Sequence, residues 1–126
     1  MRTDKTIPVI GVVGPCTAGK STLIHNLRPL GIQVRHIAQE HSYVTSMWQR
    51  LTNPDVLIFL DVSYQVSLQR KKLNWTQEEY REQQRRLSHA REYTDYYIDT
   101  DALTEDEVAE RVVAFLRQHF PLLITP

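Results

Sequence analysis

The residues best equipped for chemistry lie together near the start of the chain, in Gly14-Pro15-Cys16-Thr17-Ala18-Gly19-Lys20-Ser21. The spacing is G-x-x-x-x-G-K-[ST]. Glycines let such a loop wrap so that successive backbone N–H groups face one centre. A helix opening there adds its unpaired amides and positive dipole end. Lys20 would reach the β- and γ-phosphates of a nucleoside triphosphate, and the Ser21 hydroxyl would join a Mg²⁺ shell. Chance alone would produce the pattern in roughly one chain of this length in a few hundred.

Two acids compete for a role beside this loop. Residues 56–61 are an apolar run ending in Asp61. That is the form in which an aspartate holds Mg²⁺ or its waters, but any buried strand entering a polar loop reads the same way. Glu40, in Gln39-Glu40-His41, follows a second strand-like run. It falls where open α/β sheets bind ligands, placed to hold a Mg²⁺-bound water or to act as base on an acceptor hydroxyl. Cys16 is either a thiol at a helix N-terminus or a small residue filling the loop. A single cysteine rules out a Cys-rich metal site, and the histidines at 25, 36, 41, 89 and 119 show no His-x-x-x-His spacing.

The elements that must position these groups are legible in outline. Residues 7–13 form a continuous β-branched run, as expected of a strand buried on both faces. A short helix follows over 21–27, stopped by Pro29 and Gly31. Residues 33–38 predict a second strand, 43–51 a short helix, and 56–60 the clearest buried strand. Ser63 caps a helix reaching to about 73. Thr76 and Glu79 make a capping box that opens a long polar helix over 77–92, and Thr104 and Glu107 make another. Between them 96–100 is a short strand. After Thr104, Val108, Val112, Phe115 and Leu116 recur at helical spacing, leaving an apolar tail at 122–124. Strands alternating with helices predict a parallel α/β sheet in one domain spanning 1–126.

Composition sets the outer limits. The chain has 126 residues, with 15 basic and 15 acidic groups. That balance argues against a protein built mainly for nucleic acid. No apolar run approaches the roughly 20 residues of a membrane span, and the start carries no secretory pattern. A reducing, cytoplasmic setting is expected. The neutrality hides a basic middle. Residues 70–91 carry Arg70, Lys71, Lys72, Arg81, Arg85, Arg86 and Arg91 against Glu78, Glu79 and Glu82. An anionic ligand would be welcome there.

In four stretches the chain resembles the small P-loop kinases, the nucleoside, nucleotide and shikimate kinases. These are 14–22, ending Gly-Lys-Ser-Thr; Pro54-Asp55 with the strand to Leu60-Asp61-Val62 and then Leu68-Gln69-Arg70; the basic 70–92 segment in the place of a lid; and Tyr97-Ile98-Asp99-Thr100 before Glu107-Val108. The resemblance implies a P-loop NTPase three-layer sandwich, with a mostly parallel sheet of about four strands and helices on both faces. It implies that Gly14, Thr17, Ala18, Gly19, Lys20, Ser21 and Thr22 bind ATP and that Arg70 lies over the adenine. Thr100 and Asp101 would border the base. Ser21 would hold Mg²⁺ together with Asp61 or Glu40; in these kinases the Pro-Asp strand usually lacks the metal-linked acid, which favours Glu40. Lys20, Glu40 and one of Arg81, Arg85 and Arg86 (Arg85 in first place) would be catalytic.

The same resemblance implies transfer of the γ-phosphoryl to a small hydroxyl or phosphate acceptor. Only residues 32–53 occupy the place of the acceptor-binding segment. The alternative is therefore an ATP-binding regulatory module without a small-molecule acceptor. No membrane is expected as a partner, nucleic acid is disfavoured, and a homo-oligomer is left open.

Overall fold

The computed structural model describes residues 8–70 and 74–120. Four strands form one sheet: β1 (Val9–Val13), β2 (Gln33–His36), β3 (Val56–Asp61) and β4 (Tyr96–Asp99). All pairings are parallel and the order is β2-β1-β3-β4. Every residue of β1 and β3 is buried, whereas β2 and β4 are largely exposed. The two continuous apolar runs thus take the centre and the mixed sequences the edges, because a central parallel strand is covered on both faces.

Parallel neighbours need crossover connections, and the helices supply them. They are α1 (Lys20–Leu27), α2 (Met47–Leu51), α3 (Tyr64–Arg70), α4 (Gln77–Arg86), α5 (Ser88–Glu92) and α6 (Glu105–His119). Two apolar clusters show that both sheet faces are covered. On one, Ile10, Val12, Ile58 and Leu60 meet Leu23 and Leu27 of α1 and Val112 and Leu116 of α6. On the other, Val13, Leu57 and Phe59 meet Trp48 of α2, Leu87 between α4 and α5, and Ala90 of α5. The result is an α/β sandwich of three layers, with the loop after β1 emerging between the ends of β2 and β3.

Both capping boxes form, with Thr76 taking the Glu79 amide and Thr104 the Glu107 amide. The single helix expected over 77–92 is two, α4 and α5. They break at Leu87, whose side chain is fully buried between Phe59 and Trp48 in the second cluster. The helix expected over 43–51 shrinks to Met47–Leu51, because Gln39 accepts the Trp48 N–H at 2.7 Å and fixes the preceding turn. Residue 7, the helix end at 71–73 and the apolar tail at 122–124 lie outside the described residues. No helix among the described residues is long and apolar enough to cross a membrane.

Candidate functional site

The loop joining β1 to α1 has the backbone its glycines predict. Gly14 has φ 155°, and a Cβ there would sit 2.0 Å from the Leu60 carbonyl oxygen. Only glycine lets the loop pass so close to β3. Gly19, with φ 100°, caps α1, and Thr17 also has a left-handed backbone at φ 68°. Left-handed residues alternating with ordinary ones turn successive amides toward one concavity. Lys20 is the first residue of α1 and Ser21 the second.

Lys20 is buried and its ammonium is fully engaged. It donates to Gly14 O at 2.6 Å and Pro15 O at 3.0 Å, and it pairs with Glu40 Oε2 at 3.0 Å. Glu40 is 3% exposed and belongs to the short turn Gln39–His41 that follows β2. Its other oxygen, Oε1, is buried without a hydrogen-bond partner among the described residues, as is Thr17 Oγ1. Buried polar atoms are nearly always paired, so orphaned ones call for an explanation such as a ligand. Two occur here, one on the loop itself and one on the acid that pairs with its lysine.

A cleft of about 580 Å³ opens beside these groups, lined by the loop from Cys16 to Thr22 and by His36, Glu40, Arg70, Thr100 and the start of α6. The volume lies in the range of small-molecule sites. Burial, and next the Lys20 charge, hold the His36 imidazole below its usual range. The cleft therefore favours a neutral imidazole beside a lysine.

The expected residues divide. Gly14, Thr17, Ala18, Gly19, Lys20, Ser21, Thr22 and Glu40 are brought together around the loop. Arg70 also reaches it, but its guanidinium donates to Thr17 O at 3.0 Å and to Thr100 Oγ1 at 2.9 Å. Those bonds run from the edge of the guanidinium and tie the loop to the end of β4, and Arg70 lines the cleft. Asp61 is not brought to the cleft. Its Oδ1 accepts from Val62 N–H and Gln84, and its Oδ2 from Arg91 and the Tyr97 hydroxyl. Arg85 is not brought there either. It is exposed and paired with Glu82, which Arg86 also contacts. Those two arginines hold the Glu82 carboxyl below its usual range. Arg81 is exposed, and Asp101 accepts the Ser63 amide.

Sequence reasoning missed Gln83. Its Oε1 accepts the Cys16 N–H at 3.0 Å, and its amide donates to Cys16 Sγ at 3.1 Å. Nearby, Tyr80 donates to Val62 O, and Gln39 donates to Arg86 O. The 70–92 segment has few apolar anchors, which predicts a loosely held lid, yet α4 is fastened to the sheet ends through its glutamines and a tyrosine. The one signal in the sequence is the unusual run Gln83-Gln84 on a helix otherwise rich in charge.

No protein-family model matches the chain, and no curated protein matches it.

Proposed function

We propose that this chain is a P-loop NTPase that binds ATP with Mg²⁺ in the cleft and transfers the γ-phosphoryl to a small hydroxyl or phosphate acceptor. The observation that carries the reading is the buried Lys20 ammonium. It is held by two loop carbonyls and Glu40 at the mouth of a glycine-built concavity that contains two orphaned oxygens. A triphosphate offers Lys20 better acceptors than neutral carbonyls, because charge-assisted bonds are roughly twice as strong. As Lys20 turned to the phosphates, Glu40 would be released to take the proton of an acceptor hydroxyl. Arg70 would keep the loop in register with β4.

The donors suit Mg²⁺: the Ser21 hydroxyl and the Glu40 carboxylate are hard oxygen ligands, and Glu40 Oε1 is unused. When bound, the ion would neutralise charge building on the transferring phosphoryl.

Calorimetry with ATP and Mg²⁺ tests the reading. Lys20→Met alone would strand the buried Glu40 carboxylate, at a cost of about 3–5 kcal/mol. The informative comparison is Lys20→Met/Glu40→Gln against Glu40→Gln. The double variant should stay folded and bind ATP roughly 10- to 100-fold more weakly, corresponding to about 1.5–3 kcal/mol. Equal affinity in the two would remove triphosphate binding from the account.

A second reading, a nucleotide-controlled module without an acceptor, is favoured by one contact. Gln83 joins α4 directly to the loop at Cys16, so loop occupancy can be transmitted to that helix. ADP release measured with a panel of nucleosides and small hydroxyl compounds separates the two. Stimulation by one compound supports the transferase, and a flat, near-zero rate with tight ATP binding supports the module.

A further inference from the structure

The loop and the turn after β2 bring three unlike donors together. Cys16 offers a thiol, Glu40 a carboxylate oxygen and His41 an imidazole nitrogen, and these atoms all lie within 4.8 Å of one another. We propose that they form a binding site for a borderline-soft divalent cation, with Zn²⁺ the best match.

The donor set argues for this class. Thiolate and imidazole select zinc-like ions, whereas Mg²⁺ and Ca²⁺ take oxygen. Zinc sits about 2.0–2.3 Å from sulfur, nitrogen and oxygen ligands, which places ligand atoms roughly 3.3–3.8 Å apart. Closing the cluster to that size takes a shift of about 1 Å. Cys16 is only half-buried and the His41 side chain is 61% exposed, so both can move.

The second observation is independent of the clustering. Glu40 Oε1 is buried and has no partner among the described residues, while Oε2 is held by Lys20 at 3.0 Å and lies 3.8 Å from His41 Nε2. One oxygen thus lies between the lysine and His41, and the buried carboxylate keeps acceptor capacity that no protein group among the described residues uses. Ligands at metal sites are commonly oriented by such outer partners. Gln83, whose amide donates to Cys16 Sγ, orients the sulfur in the same way. Three protein ligands leave a fourth position for water or an anion, the arrangement of zinc sites open to chemistry and not of closed structural ones.

The proposal does not rest on the nucleotide reading, since its probe is the metal alone. Metal-free protein titrated with Co²⁺ should take up one equivalent and develop a thiolate-to-cobalt charge-transfer band, which Zn²⁺ then abolishes by displacement. Cys16→Ser should remove the band. Glu40→Gln and His41→Ala should each weaken Co²⁺ binding by more than about tenfold, while His119→Ala, on α6, should leave it unchanged. His41 is exposed, so its variant tests the site without disturbing the core, and circular dichroism confirms the fold of the others. Absence of the band overturns the proposal. So does a band that survives both Glu40→Gln and His41→Ala at full affinity, which would mark metal held adventitiously by the thiol.

Discussion

Two buried carboxylates lie on either side of β1, one at the end of each neighbouring strand, and they have opposite surroundings. Asp61 ends β3 with both oxygens saturated by Val62 N–H, Gln84, Arg91 and Tyr97. Glu40 follows β2 with one oxygen on Lys20 and the other on nothing among the described residues. A saturated carboxylate is a clamp, since its lone pairs are directed into the protein and the groups around it are fixed. A half-used one keeps a lone pair for a ligand, at a cost of about 1–3 kcal/mol or more in the free protein. On this comparison Asp61 holds α4, α5 and β4 together, and Glu40 is the acid that the proposed phosphoryl transfer would use.

The largest effect should separate the two in activity. Glu40→Gln should lower phosphoryl transfer by about 10²-fold or more, the usual contribution of a positioned base, while ATP still binds. Asp61→Asn should leave the rate per folded molecule unchanged. Steady-state ADP release in both variants measures this, and equal losses would erase the distinction.

Stability is a separate readout, in which both acids should count. Asp61→Asn deprives Arg91, Gln84 and Tyr97 of a shared charged acceptor. The loss should be about 1–3 kcal/mol in a urea titration, kept modest because the Arg91 side chain is 40% exposed. Glu40→Gln should cost more, about 3–5 kcal/mol, since it leaves the buried Lys20 ammonium without its counter-charge. No loss of stability in Asp61→Asn would remove Asp61 as a clamp.

A smaller effect concerns the fastening of α4. Gln83→Ala removes two contacts to Cys16, each worth about 0.5–1.5 kcal/mol. Amide exchange should quicken in residues 77–86 while residues 105–119 stay protected. Unchanged exchange would show that Leu87 and Tyr80 hold the helix without Gln83.

How far the sequence revealed this arrangement depends on distance along the chain. The loop was readable because its glycines, Lys20 and Ser21 lie within eight residues and act through local backbone geometry. The central strands were readable because burial on both faces leaves an uninterrupted apolar run at 9–13 and 56–60. Both capping boxes depend on a spacing of three residues. By contrast, the Arg70 contact to Thr17 spans 53 positions and the Gln83 contact to Cys16 spans 67. No periodicity encodes such pairs. The difference between Glu40 and Asp61 was hidden for the same reason. Each is an acid after a strand, and only the neighbours gathered from 84, 91 and 97 show that Asp61 is taken. The break at Leu87 carries no glycine or proline, and tertiary burial of one leucine decides it.

The smallest expected effect refines the Asp61 side of the comparison through pH. The Tyr97 hydroxyl is pushed up to about 12, first by burial and then by its hydrogen bond to Asp61. In the unfolded chain a tyrosine titrates near about 10. The native state therefore keeps a proton that the unfolded state has lost between these two values. The stabilisation is fully present below about pH 10 and disappears as pH rises toward 12. Tyr80, raised by burial and then by Asp61, acts in the same direction. Tyr97 is 43% exposed, so solvent screening keeps its share small. Tyr97→Phe retains the ring stacked on Phe59 at 5.5 Å and removes only the titrating group. Unfolding free energies followed from neutral to alkaline pH should fall more steeply in the wild type than in Tyr97→Phe, with the Tyr80→Phe/Tyr97→Phe pair flatter still. Parallel curves would mean that Asp61 is held by the Val62 N–H, Arg91 and Gln84 alone, a clamp of three partners and not four.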